Sequence, residues 1–198
     1  MNTTGLRARL NRLRRSVARV LLFRMLFGEA SMGRLLPHTR ISAASCIEHE
    51  DRLTLGDHVY IGPFNFIEAS GCVTLDEGVQ VTSHVSIVTH SSHRAMRLLG
   101  RKYVEVASDR PGWVAGAVHI GAYSFIGPHV LIEAGSRLGR GTLVRAGSVV
   151  RGEFPDFAVL DGRPAQVVGD SRQRDEALLQ RHPELRAHYD AWAGRWPT

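Results

Sequence analysis

Only two cysteines, Cys46 and Cys72, occur in 198 residues. A disulfide framework, which small secreted chains build from four or more, is excluded, and a reducing cytoplasm is the default compartment. Long apolar runs are missing as well. The stretch from Val17 to Phe27 is broken by Arg19 and Arg24 and is followed by no small-residue cleavage pattern, so neither a membrane-spanning helix nor a signal peptide is expected. Low-complexity sequence is absent, and a hydrophobic content of 43% suits one main domain with a real core.

Acid is scarce at the start of the chain. Residues 1–40 hold nine arginines against the single acid Glu29, which leaves sixteen basic and eighteen acidic groups for the rest. The net charge of +6 therefore belongs to an arm rather than to the body, which argues against a nucleic-acid partner. Within the arm, Leu6, Leu10, Leu13, Val17 and Leu21 fall on one face of a helix expected over Leu6 to Phe27. Arg7, Arg9, Arg12, Arg14, Arg15 and Arg19 occupy the remainder. Two readings stay open: a cap over the open end of the body, where unpaired strand edges invite aggregation, or peripheral contact with an anionic membrane.

The body repeats. Leu53, Leu55, Val59, Ile61 and Ile67 recur twenty residues later as Val73, Leu75, Val79, Val81 and Ile87. From Ile120 a six-residue step runs through Ile126, Ile132, Leu138, Val144 and Val150. Six residues cannot bury an apolar face alone, but three such segments form one triangular turn of a parallel β-helix, and turns stack on one another. The expected organisation is a basic helical arm over 1–34, a β-helix over 35–153 and a C-terminal tail with a helical region over 154–198. In that last part Leu178, Leu185, Tyr189 and Trp192 form an apolar stripe for packing. Cys46 and Cys72 precede hexad positions and fall near corners.

The repeat is interrupted once, over residues 89–117. Long excursions from a compact fold are usually functional, and this one opens with Thr89, His90, Ser91, Ser92 and His93. A histidine at the point where a rigid coil becomes a loop is well placed yet open to substrate, which suits a general base.

Taken together, the hexads, the Thr89–His90 pair, the return through Val118-His119-Ile120-Gly121 and the ending Gly162-Arg163-Pro164-Ala165-Gln166-Val167-Val168 resemble the hexapeptide-repeat acyltransferases. The resemblance is to the branch containing maltose and galactoside O-acetyltransferases and acetyltransferases of bacterial surface polysaccharides, and covers roughly residues 45 to 170. It implies a mainly β fold, a left-handed parallel β-helix, assembled as a homotrimer with acetyl-CoA bound between subunits and no metal required. It places the catalytic base at His90, with His93 in reserve, and a neighbouring asparagine at Asn65. It places the donor beside Gly127, Ala134, Gly135 and Ala146, with Arg151 and Arg163 as phosphate partners. The chain departs from the pattern at Ser91, where many relatives have proline, and at Gln166, where they often carry a basic residue.

The expected chemistry is direct acetyl transfer from acetyl-CoA to a hydroxyl of a sugar or surface-glycan precursor. A general base contributes roughly a hundred- to ten-thousandfold to such a step, and imidazole titrates in the right range. Other readings are N-acetyl transfer to an amino sugar or serine-type acceptor, a zinc enzyme of the carbonic-anhydrase kind using the six histidines His58, His84, His90, His93, His119 and His129, and a non-catalytic trimeric scaffold. The protein is expected in the cytoplasm, with possible attachment to the inner membrane face through the basic arm.

Overall fold

The computed structural model describes residues 3–106 and 109–194. Its body is a left-handed parallel β-helix of triangular section. One face stacks Arg40–Ile41, Tyr60–Ile61, Gln80–Val81, Phe125–Ile126, Leu143–Val144 and Val159–Leu160 in parallel. A second stacks Cys46–Glu48, Phe66–Glu68, Ser86–Val88, Leu131–Ile132 and Val149–Val150. The third stacks Leu53–Leu55, Val73–Leu75, Val118–Ile120, Arg137–Leu138 and Glu153–Phe154.

This is the register in the sequence: Ile61 lies over Val81, Ile67 over Ile87 and Leu55 over Leu75. The hexad residues point inward and form one continuous buried core from Val59 to Leu160, against which the partly buried Ile41, Ile47, Leu53, Leu55 and Phe154 pack. Because alternate residues of a strand point into the prism and out of it, the outward neighbours are free to vary, as Thr54, Thr74, His119, Arg137 and Glu153 do along the third face. Tight stacking explains the corner glycines. A Cβ on Gly62 would lie 2.2 Å from the Thr82 carbonyl oxygen of the next coil, so no larger residue fits without moving backbone.

Several features differ from expectation. The N-terminal helix α1 spans Thr3–Leu22 and stops short of Phe27, because the chain enters a hairpin. Strand β1 (Met25–Ser31) pairs antiparallel with β2 (Arg34–Ser42), across a Met32–Gly33 turn with φ of 51° and 74°. Two successive positive φ angles are the geometry of a tight hairpin turn, which glycine accepts readily. It is β1, not α1, that covers the first edge of the β-helix, helped by Leu55 N–H donating to Ser31 Oγ at 3.0 Å. Helix α1 does not cap the body, and its apolar side chains are exposed.

At the other end the stacking continues past 153, through Phe154 to Leu160, and Ala165–Asp170 then folds back antiparallel to close that edge. The C-terminal helices are Arg172–Leu179 and Arg186–Ala193. Trp192 packs beside Tyr123, Phe157 and Tyr189, with ring centroids 4.6, 5.8 and 5.1 Å away. Leu178 and Leu185, expected in the same stripe, are half exposed, while Leu179 and Ala193 are buried. Both cysteines are free and exposed.

Candidate active site

The excursion is shorter on irregular chain than its sequence suggested. His90–Ser91 pairs antiparallel with Val114–Ala115, which ties its two ends together, and between them lies a helix over His93–Leu99. The tie fixes His90 at the corner between the second and third faces. Thr89, fully buried, anchors the point of departure: its hydroxyl accepts from Gly71 N–H at 2.8 Å and donates to Glu68 at 2.7 Å.

Glu68 is the residue that sequence reasoning missed. Its carboxylate is 5% exposed and lies 2.8 Å from His90 Nδ1 through Oε2. Oε2 also accepts from Thr89 N–H at 3.1 Å, and Oε1 accepts from Ser70 N–H at 2.7 Å. Burial alone would push the Glu68 pKa up, yet the hydrogen bonds from Ser70 and Thr89 outweigh it and hold the acid at about 2. A carboxylate that is ionised at neutral pH only accepts, so Nδ1 of His90 donates to it, and the neutral imidazole then has its lone pair on Nε2. Ser70 Oγ lies 3.2 Å from the same Nδ1. The ring is further clamped by Trp113, stacked on it at 4.6 Å with 10° between planes. Arg110 lies over Trp113 and Tyr103, which braces the far strand of the excursion.

His90 opens onto a cleft of about 420 Å³, lined by Val88, His93, Val114, Leu131, Ala134 and Arg151, among others. Three residues predicted for catalysis or the donor, His90, Ala134 and Arg151, thus come together. Arg151 lies 3.8 Å from Glu133 and is mostly exposed. Gly135, with φ +79° and open space where a Cβ would stand, continues the corner from Ala134. His93 lines the same cleft, with Nδ1 2.7 Å from Ser91 Oγ.

Other predicted residues sit at the corner between the first and second faces. Asn65 does not reach His90 within the chain. It is buried, and its amide nitrogen donates to the Gly62 and Thr82 carbonyls at 2.9 Å while its oxygen accepts Val85 N–H at 2.8 Å. It splices two coils. Gly127 is at the same corner, where a Cβ would meet Val144 O and Ala146 N at 2.8 Å. Arg163 is beside them, its Nε donating to the Gly147 carbonyl. This corner carries an apolar and imidazole column, Phe64, His84 and His129, with centroid spacings of 5.0 and 4.8 Å.

A larger cleft, about 640 Å³, opens at the third corner against His38, His58 and Tyr123. There, His38, Asp57 and His58 bring one ligand atom each within 4.8 Å of one another. The two imidazoles are stacked at 4.4 Å and 3°. In-plane lone pairs on parallel rings run side by side instead of converging, so this arrangement is a corner stack rather than a formed ion cage. His90, His93 and His119 are not part of it.

No family model matches the chain. It is similar to Rv3034c of Mycobacterium tuberculosis, named as an acetyltransferase, with 29% identity over 139 residues, 70% of this chain and 44% of that protein. It is also similar to WbbJ of Escherichia coli, named for O-acetyl transfer in lipopolysaccharide biosynthesis, with 28% identity over 112 residues, 57% of each chain. The chain therefore spans about half the length of these relatives. Among solved structures, a hexapeptide-repeat acetyltransferase of Vibrio cholerae in complex with acetyl-CoA superposes with a TM-score of 0.52 at 20% identity, over 64% of each chain. A galactoside acetyltransferase in complex with coenzyme A gives 0.51 at 22% identity, over 67% of this chain and 62% of the other. At these identities the structural likeness establishes the fold alone.

Proposed function

We propose that this chain, a hexapeptide-repeat protein of the acyltransferase family, transfers an acetyl group from acetyl-CoA to a hydroxyl of a sugar or surface-glycan precursor. The observation that carries the reading is the His90–Glu68 pair, with Nδ1 turned to the buried carboxylate and the histidine on the wall of a cleft.

The donor supplies the activated thioester carbonyl. His90 Nε2 takes the proton of the acceptor hydroxyl as its oxygen attacks that carbonyl, which converts a weak nucleophile into a competent one. Glu68 balances the imidazolium charge that forms and holds the ring in one tautomer. When the tetrahedral adduct collapses, the carbon–sulfur bond breaks and the proton on Nε2 passes to the leaving sulfur. The residues present fit such a donor. Val88, Val114, Leu131 and Ala134 give an apolar wall narrow enough for a thin chain, and Arg151 stands at its side for phosphate oxygens.

The second group of predicted donor residues, Gly127, Ala146 and Arg163, and likewise Asn65, lie at a different corner from His90. Their role is proposed through a homotrimer, in which this corner of one protomer faces the His90 cleft of the next. The protein is proposed to work in the cytoplasm. Among the described residues no helix is long and apolar enough to cross a membrane.

His90→Ala is expected to lower acetyl transfer to a panel of sugar acceptors by roughly a hundred- to ten-thousandfold while acetyl-CoA still binds. Retained activity would remove His90 from the role of base. Co-assembling His90→Ala with Arg163→Ala protomers should recover part of the activity if the site is shared between subunits, since some interfaces then hold both native residues. No recovery would place each complete site within one chain.

A further inference from the structure

Helix α1 is strongly amphipathic, and among the described residues its apolar side is left exposed. Leu6, Leu10, Leu13, Val17, Val20 and Leu21 line one face of α1, a stripe about 100° wide by helical geometry, and all are exposed. Arg7, Arg9, Arg12, Arg14, Arg15 and Arg19 fill the other face, and the helix carries no acid. The apolar surface continues beyond the helix through Leu22, Phe23, Leu26 and Phe27. It reappears at the hairpin tip, where Met32 and Leu35 are 82% and 85% exposed. Only Phe23 turns inward, its ring 5.3 Å from Phe64 at the head of the corner column.

We infer that this end of the molecule is a docking surface for an anionic lipid bilayer, with α1 lying in the plane of the interface. The charge pattern selects that occupant. Six arginines without an acid match a layer of anionic headgroups, and the apolar stripe matches the acyl boundary beneath them. A second copy of the same arm could cover the apolar stripe but would bring no opposite charge to the arginine face, so it complements one side of the helix and not the other. Within the body, β1 already covers the first-coil edge of the first face. Since β1 is the outermost strand of its sheet, docking would hold the β-helix by its first coil, two coils from the strand that leads into His90. This goes beyond the acetyl-transfer reading and does not depend on it.

The test is co-sedimentation of the full-length protein with phosphatidylcholine vesicles, with and without phosphatidylglycerol. The wild type is expected to bind the anionic vesicles, and to bind them more weakly as salt is raised. The triple variant Leu10→Glu, Leu13→Glu, Val17→Glu should lose at least tenfold in partitioning, and so should Arg12→Gln, Arg15→Gln, Arg19→Gln. His90→Ala should bind as the wild type does, so failure of docking and failure of the catalytic reading are separable. Absence of wild-type binding, or equal binding by the leucine–valine variant, would overturn the inference. So would a leucine–valine variant whose oligomer falls apart in light scattering, since the stripe would then be a protein interface.

Discussion

Two histidine–carboxylate pairs on this coil look alike by distance and differ in what surrounds them. His90 lies 2.8 Å from Glu68 and His119 lies 2.9 Å from Asp76, and both histidine side chains are 32% exposed. Glu68, however, is 5% exposed and Asp76 is 40% exposed. Glu68 is held by three further donor groups from Ser70 and Thr89, and its histidine is stacked under Trp113. Asp76 and His119 meet on the outer surface of the third face, where solvent screens the pair and side chains can part. A contact distance alone does not make a base. What distinguishes His90 is a buried, fully bonded acid, a ring stacked on Trp113 and a place on the wall of a cleft.

The comparison can be broken most sharply at the acid. Glu68→Gln keeps the shape, but a glutamine amide can donate to Nδ1 and move the histidine proton to Nε2, the wrong tautomer for a base. Transfer should fall by at least about a hundredfold, as expected when the orienting carboxylate of such a pair is lost, with donor affinity unchanged in calorimetry. The analogous Asp76→Asn is expected to change turnover by less than about twofold, within the range of an exposed ion pair. Equal losses in the two variants would erase the distinction drawn here.

The same acid gives a stability signature. The Glu68 pKa is lowered from 4.5 to about 2, so its stabilising contribution is present above pH 4.5 and is lost as pH falls from there through about 2. That amounts to about 3 kcal/mol. Denaturant midpoints measured across this window should therefore decline more steeply for the wild type than for Glu68→Gln. A smaller effect is expected from Trp113→Ala, which frees the imidazole ring without touching its proton. We expect kcat to drop by roughly tenfold, since misoriented catalytic groups cost about that much or more, with KM for the donor nearly constant. The smallest effect is assigned to His119→Ala, indistinguishable from wild type in the same assay.

Much of the coil was legible because its code is local. Each hexad residue from Leu53 to Val150 occupies the inward position that its spacing implied, and the twenty-residue offset is the offset between stacked coils. His90 was legible for the same reason, standing where the spacing fails. Glu68 was not, because its link to His90 spans 22 residues and exists only once one coil lies on another. A weak signal was available: Glu48 and Glu68 occupy the same outward position one coil apart. The end of α1 was misread because apolar spacing persists through Leu26 and Phe27, which serve a strand as well as a helix. Asn65, assigned by resemblance, joins two coils at another corner of the same chain, so its place beside a His90 rests on the proposed homotrimer.

The most direct test of the account is titration of acetyl-CoA into chelator-treated, folded protein by calorimetry, on the wild type and on His90→Ala. The account predicts micromolar, chelation-independent binding of similar strength to both, because His90 acts on the acceptor's proton rather than in holding the donor. No binding to folded wild-type protein would contradict it.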